Sequence, residues 1–136
     1  MPKKRSDCPI CFSLDIFGDK WTLLVIRDIM FRAKFSYGEF LKSEEKIATN
    51  ILSDRLNLLE AEKIVSKKVS PKNKSKYVYQ LTQKGIELLP LLVEMIQWGA
   101  KYNVNTPPKE IVKKLKQDKN GLIKEYRQKL KEQMKD

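Results

Sequence analysis

From residue 63 to residue 86 the chain carries seven lysines and no aspartate or glutamate. The stretch reads as a hairpin. Residues 64–70 are β-branched and lysine-rich, residues 71–76 (P-K-N-K-S-K) are turn-like, and residues 77–81 place Tyr77, Tyr79 and Leu81 on one face at period two. Lysines on a solvated face are ordinarily interleaved with acids, because like charges repel; a one-sign hairpin is best explained by a polyanion lying over it, such as a phosphate backbone. A two-stranded ribbon is also unstable alone. The segments before it must therefore supply the surface on which it packs.

Those segments are helical. Residues 47–62 (I-A-T-N-I-L-S-D-R-L-N-L-L-E-A-E) put Ile51, Leu52, Leu56 and Leu59 on one stripe, with Thr49, Asn50, Ser53, Asp54 and Asn57 opposite. Small polar side chains keep a helix slim enough for the major groove, although any surface helix also turns polar residues outward. In residues 35–43, Ser36 and Glu39 stand at capping-box spacing and Phe40 and Leu41 point inward, as in a short supporting helix. Helix, helix and two-stranded wing in that order predict a winged helix-turn-helix, a mainly α fold with a small β-hairpin. Thr49, Asn50, Ser53 and Asn57 are the expected groove contacts, with Lys34, Ser36, Arg55, Lys72, Lys74 and Lys76 on or near the DNA backbone. Arg55 has a rival role as an intramolecular partner of a glutamate. Asp54 either accepts from a cytosine amino group or stays back from phosphate.

The totals limit the alternatives. The 136 residues suit one domain with an appendage, and the net charge of +11 is spread over both parts, 18 basic against 12 acidic residues up to Thr106 and 10 against 5 beyond it. We divide the chain into a flexible start at residues 1–7, a winged-helix domain with dimerisation helices at 8–106, and a basic, partly helical tail at 107–136. No signal peptide is expected, and the longest apolar run, residues 88–93, contains Pro90 and cannot span a bilayer. Histidine is absent, as are a phosphate-binding glycine loop and a carboxylate cluster, so no catalytic residue, metal or cofactor is expected. Only the two thiols could support a redox enzyme.

Those thiols form Cys8-Pro-Ile-Cys11. Two cysteines without histidine fall short of a zinc tetrahedron unless subunits share it. Cys11 reads as a small apolar residue packed in the first helix, with Ile10, Phe12, Leu14 and Ile16 beginning a core. Cys8 precedes Pro9 at a helix start close to Lys3, Lys4 and Arg5, surroundings that favour a thiolate. After a break at Gly18-Asp19, residues 20–32 make a helix too apolar for one exposed side, to be buried centrally or to meet a partner. Residues 82–102 read as one long helix, capped by Thr82 and bent at Pro90, whose wide apolar surface suits a dimer seam. The expected interface residues are Trp21, Leu89, Val93, Ile96 and Trp98. Residues 103–108 are a linker. Beyond them Ile111, Leu115, Leu122, Tyr126 and Leu130 are roughly helically spaced, but Asn120-Gly121 interrupts and lysines dominate, so a frayed, solvated tail is expected.

Five ordered motifs carry a family resemblance: C-P-I at Cys8, G-D-K-W-T-L-L-V-I-R-D-I from Gly18, F-S-Y-G-E-F-L from Phe35, I-L-S-D-R-L-N-L-L-E from Ile51, and Y-Q-L-T-Q-K-G from Tyr79. Over roughly residues 8 to 102 the chain resembles the HxlR-type bacterial winged-helix regulators. The resemblance implies a cytoplasmic homodimer on a pseudo-palindromic operator in double-stranded DNA, most often a repressor, joined by its N-terminal helices and the long helix after the wing. Members that sense quinones, aldehydes, hypochlorite or disulfide stress use a cysteine matched here by Cys8, which implies a reactive oxidant or electrophile as a partner. Two departures stand out: Ala48 and Thr49 replace a common serine or proline, and Cys11 is absent from many members. Competing readings are a winged-helix protein-interaction module without sequence-specific DNA binding, and a regulator without thiol sensing.

Overall fold

The computed structural model describes residues 4–103 and 109–135. Its elements are α1 (Pro9–Phe17), α2 (Thr22–Arg32), α3 (Tyr37–Leu41), α4 (Thr49–Ala61), β1 (Val65–Val69), β2 (Tyr77–Leu81), α5 (Gln83–Ile86), α6 (Leu89–Tyr102) and α7 (Lys109–Lys135). The helix, helix, hairpin order is present, and the fold is mainly α with one wing.

Local chemistry sets the boundaries. Asp19 accepts from the amides of Trp21 (2.9 Å) and Thr22 (3.0 Å) and from the Thr22 hydroxyl, filling first-turn donors that α2 leaves unpaired. Ser36 caps α3 by accepting from the Glu39 amide at 3.3 Å, and Glu39 reaches back to the Phe35 amide at 3.2 Å, one residue further than a capping box requires. In the wing, Val65 pairs with Leu81 and Val69 with Tyr77, and Asn73 closes the turn by accepting from the Ser75 amide at 3.0 Å. The Tyr79 amide donates to Phe35 at 2.7 Å beside a Ser36–Val78 bridge, so the segment before α3 lines the outer edge of β2.

Among the described residues, three other than glycine adopt left-handed backbone, all at corners: Ala33 after α2 (φ 50°), Lys46 before α4 (φ 54°) and Lys63 after α4 (φ 60°). At the wing's exit, Gly85 lies against β1's start. A Cβ there would come within 2.4 Å of the Ile64 carbonyl oxygen, so only glycine lets α5 pack this closely.

The core draws on every element from α2 onward. Ile26, Ile29, Phe40, Leu52, Leu59, Val65, Ile86, Leu89 and Val93 are buried in it, which puts α2 at the centre, as its apolar faces require.

Two expectations about the second half are corrected. Residues 82–102 are not one bent helix: α5 ends at Ile86, and α6 begins afresh with Pro90 in its first turn. Proline needs no amide partner there, so no kink arises. Residues from 109 onward are not a solvated tail: α7 runs to Lys135 and buries Leu115, Leu122 and Leu130 in the core, and Tyr126 meets Phe31 edge to face at 5.1 Å. Its interruption falls at Asp118, whose extended backbone (φ −156°) restarts the helix and whose carboxylate accepts from the Gly121 amide at 3.0 Å. A Cβ on Gly121 would sit 2.0 Å from that carboxylate, so this glycine makes room for a cap. The other linker positions, 104–108, lie outside the described residues.

Candidate nucleic-acid interface

Helix α4 turns Leu52, Leu56 and Leu59 into the core and leaves Thr49, Asn50, Ser53, Asp54 and Asn57 exposed. Four of the five are the predicted groove residues. Ala48 offers no side-chain cap, so its side chain satisfies none of the first-turn amides of α4. Tyr37, on α3, fixes this end: its hydroxyl donates to the Thr49 carbonyl at 3.0 Å and accepts from Ser53 at 3.3 Å. Sequence reasoning missed Tyr37, since an aromatic near a helix start reads as core.

The predicted backbone contacts divide. Lys72, Lys74 and Lys76 are exposed on the wing turn, and β1 leaves α4 directly, with the Ile64 amide donating to Leu59 at 2.9 Å. Lys67 lies 4.1 Å from the Tyr77 ring centre, a stacked pair that the alternation pattern did not single out.

Lys34, Ser36 and Arg55 are engaged elsewhere. Lys34 donates to Ser43 at 2.8 Å, and Ser43 donates to Asp28 at 2.6 Å. The Ser36 hydroxyl is consumed in capping, donating to Glu39 at 3.0 Å. Arg55 binds Asp54 and, at 3.3 Å, Asp19, so its intramolecular partners are aspartates and not a glutamate. Asp54 is exposed and paired with its neighbour Arg55. Burial pushes Asp19 up, but the Thr22 hydroxyl, the amides of Trp21 and Thr22 and the Arg55 charge outweigh it and hold the carboxyl below its ordinary value. The recognition helix is thus fastened to the cap of α2.

A second fastening joins α2 to the turn before α4. Asp28 is buried, with one oxygen on Ser43 and the other on Arg27 at 2.8 Å, and Arg27 forks onto Glu45 with two bonds of 2.8 Å. The Arg27 hydrogen bonds hold Glu45 down to about 2, against the opposing effect of burial. An aspartate inside an apolar helix was the only sequence signal of this network.

At the N-terminus, Cys8 is exposed immediately before α1, and both cysteines are free. Its expected cationic surroundings are internally matched: Lys4 pairs with Asp7 at 2.6 Å, and Arg5 donates to Asp15 at 2.6 Å. Lys3 lies outside the described residues. No residue of α1 is fully buried in the single chain: Ile10, Phe12 and Leu14 are exposed and do not begin a core as expected, while Ile16 packs in part against the core. Cys11 is half-buried.

Two of the predicted dimer residues also need correction. Leu89 and Val93 are fully buried in the chain's own core, Ile96 is half-buried between helices, and Trp21 sits beside Ile51 and Arg55 near the recognition helix. Trp98 alone of the five is on an open apolar face, 71% exposed and 5.2 Å from the Tyr102 ring; Leu91, Met95 and Tyr102 complete that face. The apolar residues of this helix divide between a buried side with Leu89 and Val93 and an open side with Trp98.

The model of the HxlR-like helix-turn-helix family matches residues 16–107. The chain belongs to that family. It is 32% identical over 103 residues to the HTH-type transcriptional regulator BH0655 of Halalkalibacterium halodurans, covering 76% of this chain and 91% of that one. Among solved structures it resembles PA1607, at 39% identity and TM-score 0.66 over 76% of this chain and 70% of that one. The oxidized form of the redox regulator HypR is similar at 32% identity and TM-score 0.63, over 71% of this chain and 98% of that one. This HxlR-like chain is therefore a DNA-binding transcription regulator with a winged helix-turn-helix, and not an enzyme. No helix among the described residues is long and apolar enough to cross a membrane.

Proposed function

We propose that two copies of this regulator pair through α1 and the outer face of α6 and repress from a pseudo-palindromic operator, each inserting α4 into a major groove. One observation carries the reading: an exposed Thr49, Asn50, Ser53 and Asn57 face with an uncapped N-terminus, directly continued by an acid-free, lysine-rich wing. Arg55 belongs to the machinery that orients α4 and contacts no phosphate. Lys72, Lys74 and Lys76 supply the backbone charge.

The test is fluorescence anisotropy of the reduced protein on DNA from upstream of its own gene across a salt series. Lys74→Ala is expected to weaken all sequences alike and to lower the salt slope by about one unit. Asn50→Ala is expected to reduce discrimination between operator and scrambled DNA, by about 1–3 kcal/mol if the contact is bidentate. Absence of binding at every salt concentration would replace this reading with a protein-interaction module.

Oxidants or electrophiles act, in the same proposal, on the exposed Cys8 thiol at the foot of α1. Redox regulation in the similar protein HypR supports this, as does the position of Cys8 beside a helix placed at the subunit contact. Diamide is expected to change operator binding by the wild type and not by Cys8→Ser. Equal responses from both proteins would remove Cys8 from the mechanism.

A further inference from the structure

Between α2, α6 and α7 lies a cleft of roughly 520 Å³, within the range that encloses small organic ligands. Leu24, Phe31, Met95, Ile96, Ile111 and Val112 form its apolar walls, and among the described residues no acidic side chain lines it. Two arginines reach it and differ in what they can offer. Arg27 is committed to Glu45 and Asp28. Arg32 has a single long ion pair, 3.8 Å to Asp28, and makes no hydrogen bond among the described residues. Asp28 does not need it, because Ser43 and Arg27 already occupy both carboxylate oxygens. Arg27, Arg32 and Lys34 stand against Asp28 and Glu45 in this network, a surplus of one positive charge, and of the two arginines at the cleft Arg32 is the one whose guanidinium is not committed to hydrogen bonds among the described residues.

We propose that this cleft binds a small amphiphilic organic anion, an aromatic or medium-chain carboxylate, with its apolar body between α2, α6 and α7 and its carboxylate on Arg32. A guanidinium with free planar donors matches a carboxylate in a two-pronged bond, and the apolar walls exclude competing water. The site lies outside the recognition face and makes no use of Cys8. It sits where the DNA-reading half meets the helix we place at the subunit contact. One wall is α2, which Asp28, Ser43 and Glu45 fasten to the turn before α4. An anion that draws Arg32 away from Asp28 therefore acts on the element that aims the recognition helix. That consequence rests on the DNA-binding reading; the binding itself does not.

Isothermal titration calorimetry of the full chain with naphthoate, and with the uncharged naphthalenemethanol, tests the site without any operator. One naphthoate per chain is expected. Arg32→Gln should weaken naphthoate about tenfold or more and leave the neutral alcohol unchanged, because a charge-assisted bond is lost from only one of the two ligands. Ala100→Phe, which projects a ring into the cleft, should abolish binding of both, and Lys113→Gln, on the outer surface of α7, should change neither. Matching thermal melts identify variants that remain folded. Absence of naphthoate binding by the wild type, as when a second copy fills the cleft, overturns the proposal. So does equal weakening of both ligands by Arg32→Gln, or unchanged binding by folded Ala100→Phe. Operator affinity that is identical with and without saturating naphthoate overturns the coupling to α4 while the site stands.

Discussion

Helices α1 and α7 lie at opposite ends of the chain, almost wholly outside the family-matched residues 16–107, and they dispose of apolar surface in opposite ways. Helix α7 is crowded with lysine, yet it buries Leu115, Leu122 and Leu130 in the core. Helix α1 carries Ile10, Phe12, Leu14, Ile16 and Phe17, yet none is fully buried: Ile10, Phe12 and Leu14 stand exposed, and Ile16 is only partly covered by the core. The difference teaches that apolar content does not predict which helix docks on its own chain. A narrow stripe flanked by charge fits one surface and is satisfied by it. A helix apolar on several sides needs surface from more than one direction, which in the proposed dimer a second copy supplies.

The comparison can be broken most forcefully at α7. Leu122→Ala should cost about 2–5 kcal/mol through a cavity in the core, lowering Tm by on the order of 10 °C whatever the protein concentration. A change of only a degree or two would mean that α7 rests loosely on the domain. At α1 the expected effect is of another kind. Phe12→Ser should weaken self-association by about 2 kcal/mol, roughly thirtyfold, in sedimentation equilibrium. It should leave the unfolding of dilute protein unchanged, and Trp98→Ala on α6 should act alike. A loss of stability for Phe12→Ser without loss of association would put α1 on its own chain. A smaller effect tests how α7 holds its two segments: Gly121→Ala crowds the Asp118 carboxylate off the Gly121 amide and should cost about 1 kcal/mol in denaturant unfolding. The smallest isolates the polar fastening, which belongs to neither terminal helix. Since Arg27 lowers Glu45 from 4.5 to about 2, its contribution is complete above pH 4.5 and disappears as pH falls toward 2. Glu45→Gln should be less stable than wild type at neutral pH, with the gap closing across that window in unfolding titrations. A gap that persists at pH 2 would mean that packing, not charge, separates the two proteins.

The order of elements from α3 to β2 was legible because hairpin and helix periods are local signals, and the capping pair Ser36 and Glu39 marked a boundary directly. The outward residues of α4 followed from the same periodicity. What sequence could not decide was partnership. Lys34 and Arg55 look like any exposed cations, and only the fold brings them to Ser43 and to Asp19. Leu89 and Trp98 are both apolar positions on one helix, and which side faces inward depends on where α2 and α7 sit. Asn120-Gly121 suggested a break, which was close in position, but the cap at Asp118 that makes the glycine necessary is a three-dimensional fact. Pro90 was misplaced for a related reason, since a proline after a turn begins a helix and a proline within one bends it.

The left-handed corners at Ala33, Lys46 and Lys63 bear on mechanics. For a residue with a Cβ, that basin is narrow and costs about 1 kcal/mol or more relative to the right-handed one, so the surrounding structure must hold each corner in place. Such joints do not bend by small degrees as glycine joints do. The reading unit from α2 through α4 to the wing is consequently a stiff lever. In the proposed dimer, a stimulus at the N-terminus or in the cleft would swing it as a whole, and what changes on the DNA would be the distance and angle between two intact readers.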